Sequence, residues 1–265
     1  MGFGNYYSEK LDKITDNWYT VRELQVIEMK EIFSVLGVAL KYLPQESAGL
    51  MIEEYLNNDV LNTMCVVTRD MLLYAGDHPE YRKALEEMDI HVMGDKDIFT
   101  AAGITEEALL KRAGDQEIWN LFINTVAREK KTCFLLAQTE DALEELKKNL
   151  ENKCPELLFA GTYAADNAEG DPEIIVNEIN SLLPDVIISA MAQPEQEMFI
   201  CEQYKKLGAT VWFGLPMMGS WTGSGESWLS RLIGRTVFNR RVQKYKSMQE
   251  DDWLDEEDFE EELVE

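Results

Sequence analysis

Short apolar runs alternate with longer amphipathic segments along most of this chain, and this alternation constrains the fold more than any other feature. The runs are MCVVT, DIHVM, TCFLLA, ELLFAGTY, PDVIISA and ATVWFGL, and an earlier run, FSVLGVAL, is predicted to be a further single strand. Continuous apolar character is typical of strands that are covered on both faces. Because the segments between the runs show helical spacing, the order predicts an α/β fold with a Rossmann-like, mostly parallel sheet and helices on both faces.

The chain of 265 residues divides by composition into four predicted parts. Residues 1–32 are polar with scattered aromatic side chains, which predicts an N-terminal extension. Residues 33–222 carry the alternating pattern and form the predicted α/β domain. Residues 223–248 form a predicted basic amphipathic helical appendage, and residues 249–265 an acidic tail that is predicted to be disordered.

A strong excess of acidic residues argues against broad binding of nucleic acid. The formal net charge is −25, and residues 249–265 alone contain eleven Asp and Glu and no Lys or Arg. A protein that binds nucleic acid needs a basic footprint for the phosphates. We therefore expect no nucleic-acid partner.

The cysteines and histidines predict neither a metal site nor a disulfide framework. The four cysteines are far apart and form no Cys-x-x-Cys motif, and the chain has only two histidines. Reduced thiols in a cytoplasmic protein are the expectation. No apolar stretch approaches the roughly 20 residues that cross a bilayer, and the opening MGFGNYYSEKLDKI lacks the apolar region of a secretory signal.

Polar side chains follow several predicted strands at the point where each strand ends. Thr68 and Asp70 follow the strand in VVTRD, Asp95 follows DIHVM, and Gln196 and Glu197 follow PDVIISA. Right-handed crossovers bring the carboxyl ends of parallel strands to one edge of the sheet, where ligands bind in open α/β folds. The sequence therefore predicts a site at this edge.

The order of several motifs resembles the WecG/TagA/CpsF glycosyltransferase family. The motifs are VLGVALKYLPQESAGLMIEEYL, VVTRD, PDVIISAMAQPEQE and WLSRLI followed by a basic segment, and the resemblance runs from about Phe33 to Lys246. It implies a bacterial, inverting and metal-independent enzyme that moves N-acetylmannosamine from UDP to a lipid-diphosphate-linked N-acetylglucosamine in cell-surface polysaccharide synthesis. It also implies a cytoplasmic, peripheral protein on the inner face of the membrane, with no cofactor and a possible homo-oligomeric state.

The resemblance places a catalytic base after DIHVM, where the family has a Pro-Asp-Gly turn. In this chain the sequence is Met93-Gly94-Asp95-Lys96-Asp97, so glycine stands at the aspartate position and Asp95 follows it. A shift of one residue in the turn makes Asp95 the predicted base, with Asp97 as its substitute. The alternative is a solvated turn with no catalytic role.

Five residues are predicted to bind substrate by the same resemblance: Thr68, Asp70, Arg112, Gln196 and Glu197. Thr68 and Gln196 would position the sugars, and the fork of Arg112 suits a diphosphate. Four of them have a structural alternative, namely a helix N-cap for Thr68, a surface position for Arg112 and an acidic helix start for the Gln196–Glu197 pair.

Four glycine-containing turns of the family are altered along this edge, at Gly94, after Ala137, after Ala190 and after Gly214. Glycine lets backbone approach a phosphate closely. Its loss leaves two hypotheses open: a changed donor, or a family member without catalysis that serves as a binding or scaffolding protein. A nicotinamide-dependent enzyme is not favoured, because no strand is followed by G-x-G-x-x-G.

The segment LSRLIGRTVFNRRVQKYK, residues 229–246, contains six Lys or Arg and no acid. Apolar residues recur there at roughly helical spacing, and a basic amphipathic helix is typical of a membrane-surface element. The residues predicted to contact the membrane are Arg231, Arg235, Arg240, Arg241 and Lys244. The alternative is a helix whose apolar side packs on the domain and whose basic face is exposed.

Overall fold

The computed structural model of the protein describes residues 31–105, 107, 116–216 and 234–248. Several predictions concern residues outside these ranges and stay predictions. They are those for Arg112, Arg231, the N-terminal extension up to residue 30 and the acidic tail. The strands are β1 Glu31–Val35, β2 Val38–Tyr42, β3 Asn62–Val67, β4 Ile90–Met93, β5 Thr132–Ala137, β6 Leu158–Ala164, β7 Val186–Ala190 and β8 Val211–Gly214. The α-helices are α1 Gln45–Asn57, α2 Arg69–Asp77, α3 Pro79–Glu87, α4 Lys96–Ala101, α5 Glu117–Arg128, α6 Glu140–Lys153, α7 Pro172–Leu182, α8 Glu195–Gln203 and α9, residues 234–248.

The eight strands form one sheet in the order β1-β2-β4-β3-β8-β7-β5-β6. Every neighbouring pair is parallel except β1 and β2. The predicted α/β fold with a mostly parallel sheet is therefore confirmed. The carboxyl ends of β2 to β8 meet at one edge, which we call the carboxyl edge.

The prediction of a single strand for FSVLGVAL is wrong. Val35 and Val38 pair across a two-residue turn, so the segment forms the antiparallel hairpin of β1 and β2. Leu36 and Gly37, the turn residues, have φ of 53° and 76°. A tight hairpin turn with positive φ at both positions matches the twist of its strands. The apolar character of Leu36 concealed the turn in the sequence.

Helices cover both faces of the sheet and bury two layers of apolar side chains. One layer lies beneath α1, α5 and α6 and includes Met51, Phe122 and Leu146. The other lies beneath α2, α3, α4, α7, α8 and α9 and includes Phe99 and Trp212. These two layers bury the sheet on both faces.

The C-terminal helix α9 packs on the domain through its apolar side. Phe238 is fully buried, Val242 is nearly so, and Tyr245 contacts the same apolar layer. A separate basic appendage is thus not confirmed, and the packing matches the alternative interpretation of this segment. None of the helices in the described ranges is long and apolar enough to cross a membrane.

Candidate active site

The loops after β3 and β4 bring together most of the predicted acidic site residues. Val67 and Met93, the last residues of these strands, are partners in register, so the loops that follow are neighbours. Arg69 begins α2 in one loop, and Asp95 and Asp97 lie at the start of α4 in the other. The carboxyl edge therefore presents two carboxylates beside a guanidinium.

Gly94 is the first residue of the loop after β4, and its close approach to neighbouring backbone requires glycine. Its N–H donates to the carbonyl oxygen of Val67 at 2.9 Å. A Cβ atom at residue 94 would lie 2.9 Å from that same oxygen and 3.0 Å from Cγ1 of Val66. An aspartate at residue 94 does not fit this backbone, and Asp95 is the first acidic side chain beyond the strand.

Gly94→Ala is expected to destabilise the fold by about 1–3 kcal/mol, the usual cost of forcing extra atoms into a packed position. The matched control is Gly76→Ala in α2, where a Cβ atom meets nothing within 4 Å. That change is expected to be neutral or to stabilise the helix by about 0.5–1 kcal/mol. Urea unfolding of both variants measures the difference. Equal stability of the two variants would contradict the steric role of Gly94.

Arg69 contacts both carboxylates of the neighbouring loop. Its Nε lies 3.4 Å and its backbone N 3.3 Å from Oδ2 of Asp95. Its Nη1 lies 3.5 Å from Oδ2 of Asp97, whose Oδ1 is 3.1 Å from Nη2 of Arg235 in α9. Among the described residues, guanidinium groups therefore hold both oxygens of Asp97 but only one oxygen of Asp95. Arg69 was not among the predicted site residues, because nothing in VVTRD shows that the Arg69 side chain faces the loop after β4.

Thr68 is the N-cap of α2, which is the structural alternative predicted for this residue. Its Oγ1 accepts the N–H of Met71 at 3.4 Å, which satisfies one of the free donors at the helix start. Asp70 lies in the first turn of α2 and is exposed. Both residues are at the carboxyl edge, and contact of either one with a sugar stays a prediction.

Gln196 lies inside the protein and is 2 % exposed. Its Oε1 accepts from Oγ of Ser189 at 2.8 Å and from the N–H of Met191 at 3.1 Å. Its Nε2 donates to Glu197 and to the carbonyl of Leu215, both at 3.0 Å. All four hydrogen-bonding positions of the amide are therefore filled, and the side chain ties the end of β7 to the end of β8. A direct contact with a nucleotide sugar stays a prediction that this arrangement does not support.

Glu197 is fully buried beside Gln196. Its Oε2 accepts from the hydroxyl of Tyr81 in α3 at 3.1 Å. Burial raises the pKa of Glu197 to about 7, although the hydrogen bonds from Gln196 and Tyr81 oppose the shift. Burial, reinforced by the nearby Glu197, also raises the pKa of the Cys65 thiol. These contacts describe a structural carboxyl group, and its predicted binding of substrate stays a prediction.

The loops after β5 and β7 are bridged by Gln138, which lies at one of the altered turns but was not among the predicted site residues. The crossover after β5 leads to β6 on one side, whereas the crossover after β7 leads to β8 on the other, so this is a switch point where ligands bind. Oε1 of Gln138 accepts the N–H of Ala192 at 3.0 Å, and its Nε2 donates to Asp166 at 2.6 Å. Oε1 of Gln196 therefore accepts the N–H of Met191, and Oε1 of Gln138 accepts the N–H of Ala192.

The basic residues of α9 are divided between the domain and the solvent. Arg235 pairs with Asp97, and Arg241 pairs with Asp77 at the end of α2. Arg240 and Lys244 are exposed. Contact of these residues with a membrane stays a prediction, and the pairing of Arg235 and Arg241 does not support it.

A cavity of about 450 Å³ lies at the opposite edge of the sheet, between α3 and α8. Thr63 at the start of β3, Asp89 just before β4 and Cys201 in α8 are among its lining residues. It is therefore separate from the carboxyl edge. Within the described part of the chain, no group of three or more His, Cys, Asp or Glu side chains is arranged to hold a metal ion.

Comparison with known proteins identifies the family of this chain. The model of the glycosyl transferase WecG/TagA/CpsF family matches residues 33–218. This span includes the strand-end loops described above, and the chain belongs to this family.

Similar curated proteins include the N-acetylglucosaminyldiphosphoundecaprenol N-acetyl-beta-D-mannosaminyltransferases of Staphylococcus aureus strains NCTC 8325 / PS 47, COL and N315. Each is 23% identical over 166 residues, which cover 62% of this chain and 65% of the relative. The chain thus matches less than two thirds of the length of these relatives.

Proposed function

We propose that this protein is an inverting glycosyltransferase that transfers an N-acetylhexosamine from a UDP-sugar to a lipid-diphosphate-linked sugar. The observation that carries the proposal is the match of residues 33–218 to the family, with Asp95 at the carboxyl edge of that span. The names of the relatives support N-acetylmannosamine as the sugar and N-acetylglucosaminyldiphosphoundecaprenol as the acceptor. A lipid-linked acceptor would bring the protein to the inner face of the cell membrane. The proposed role is cell-surface polysaccharide synthesis.

The chemistry needs one base and groups that stabilise a leaving diphosphate. The acceptor hydroxyl oxygen forms a bond to the anomeric carbon of the donor, and the bond from that carbon to the diphosphate breaks. The electron pair of the broken bond leaves with the diphosphate oxygen, and the hydroxyl proton passes to the carboxylate of Asp95. Attack from the face opposite the leaving group inverts the anomeric configuration. No metal is part of this scheme.

Binding of UDP, of UDP-N-acetylmannosamine and of UDP-N-acetylglucosamine by isothermal titration calorimetry tests the donor. Turnover is then measured with N-acetylglucosaminyl diphosphate that carries a short polyprenyl chain. We expect transfer from one of these donors, a product whose anomeric configuration is opposite to that of the donor, and an unchanged rate in excess EDTA. Absence of transfer from both sugars, with acceptor present, would contradict the proposed function.

A further inference from the structure

Arg69 is fixed between two carboxylates at the carboxyl edge. Its Nε and its backbone N approach one oxygen of Asp95, at 3.4 and 3.3 Å, and its Nη1 approaches Asp97 at 3.5 Å. The side chain is only 13% exposed. Arg69 is the first residue of α2 and directly follows the N-cap residue Thr68. The backbone that carries the guanidinium is therefore also held in place.

These contacts leave the two carboxylates in different states. Oδ2 of Asp95 is occupied by Arg69, whereas its Oδ1 has no hydrogen bond within the described residues, and the side chain is 31% exposed. Both oxygens of Asp97 face guanidinium groups, and that side chain is 11% exposed. A base must accept a proton through an oxygen that a substrate hydroxyl can reach. Of the two, Asp95 meets that requirement.

We propose that Arg69 is the positioning residue for the catalytic base, holding Oδ2 of Asp95 so that Oδ1 faces the acceptor hydroxyl. This inference rests on the proposed glycosyl transfer. The resemblance to the family assigns no role to the residue between Thr68 and Asp70, so the function of Arg69 belongs to the geometry of this chain. Two donors on one oxygen fix the plane of the carboxylate better than one does, because each restricts a different direction of rotation.

Misplacement of a reacting group by about 1 Å costs on the order of 100-fold in rate. Arg69→Met removes the guanidinium contact but keeps a side chain of similar length, and the backbone N–H stays. We therefore expect kcat to fall by about 10- to 100-fold, with KM for the donor changed by less than about threefold. Arg69→Lys keeps the charge without the fork and is expected to fall between the wild type and Arg69→Met.

A double-mutant cycle separates positioning from an independent effect. Arg69→Met, Asp95→Asn and the double variant are assayed with the donor and acceptor that the wild type uses. If Arg69 acts through Asp95, its substitution has no further effect on kcat once Asp95 is asparagine. The matched control is Arg128→Met, which removes an exposed ion pair with Glu53 on α1 and is expected to leave kcat unchanged.

Three outcomes would overturn the inference. They are an unchanged kcat in Arg69→Met, losses that multiply in the double variant, and a loss that appears in KM alone. If Arg69→Met does not fold by circular dichroism, the same cycle is run with Arg69→Lys, and an unchanged kcat there overturns the inference as well. An inactive wild type would contradict the proposed function itself. An active wild type together with an equally active Arg69→Met would contradict only the role of Arg69.

Discussion

Asp95→Asn is expected to lower kcat by about 10²- to 10⁴-fold, the usual contribution of a positioned base. The amide has nearly the same shape as the carboxylate, and its oxygen can still accept from Arg69. Asparagine is also favourable at the N-cap of α4, where Asp95 stands. The fold and the binding of the donor should therefore survive while proton transfer is lost.

Asp97→Asn is the comparison that identifies the base. Asp97 is held by Arg69 and Arg235 through separate oxygens, so its substitution weakens two ion pairs. We expect a loss of stability and a smaller loss of kcat than in Asp95→Asn. Steady-state rates, calorimetric donor affinity and thermal melting of both variants measure this. The opposite order, with full transfer by Asp95→Asn and none by folded Asp97→Asn, would assign the base to Asp97.

Glu197→Gln is expected to change the free energy of unfolding, as a function of pH, by up to about 3 kcal/mol between pH 4.5 and pH 8. Burial raises the pKa of Glu197 from 4.5 to about 7. The folded protein therefore binds the proton more tightly, and this stabilisation is fully present below pH 4.5 and lost as pH rises through 7. Glutamine stays neutral and can still accept from Tyr81, so the variant keeps its stability above pH 7.

His91 acts in the opposite direction. It is fully buried in β4, its Nδ1 accepts from the N–H of Lys41 at 2.8 Å, and its Nε2 lies 2.8 Å from the carbonyl of Leu85. Burial lowers the pKa of His91 from 6.5 to about 4. Its contribution is present above pH 6.5 and is lost as pH falls through 4. Between pH 4.5 and 6.5 the two effects oppose each other, which predicts a nearly flat stability curve in the wild type.

Urea unfolding of the wild type and of Glu197→Gln from pH 4 to 8 tests this balance. In the variant, stability is expected to rise with pH up to about 6.5, because the effect of His91 is no longer opposed. Glu195→Gln is the matched control, since Glu195 is exposed in the same helix. A parallel pair of curves for the wild type and Glu197→Gln would show that Glu197 ionises alike in the folded and unfolded chains.

The altered glycine turns acquire a physical explanation from the structure. At the turn after β7, the side chains of Gln196 and Gln138 occupy the N–H groups of Met191 and Ala192, of the kind that a glycine-rich loop offers to a phosphate. At the turn after β4, glycine stands where the resemblance places the aspartate, and the carbonyl of Val67 leaves no room for a Cβ atom at Gly94. Membership of the family favours the enzyme over a scaffold.

The sequence by itself determined the parallel sheet, its helices and the edge at which the site lies. Apolar periodicity is a local property, and the burial of each strand on both faces enforces it directly. The hairpin was missed because its two turn residues lie within an apolar run, and Leu36, which has a positive φ there, is not a residue that usually marks a turn.

Only the tertiary structure decided which polar residues are accessible at the carboxyl edge and which lie inside the protein. Gln196 and Glu197 have side chains that are usually exposed, yet both are buried because Ser189, Leu215 and Tyr81 complete their hydrogen bonds. Arg69 and Asp95 are 26 residues apart and meet only because β3 and β4 are adjacent. Partners of this kind are set by the order of strands in the sheet, which the spacing of residues along the chain does not encode.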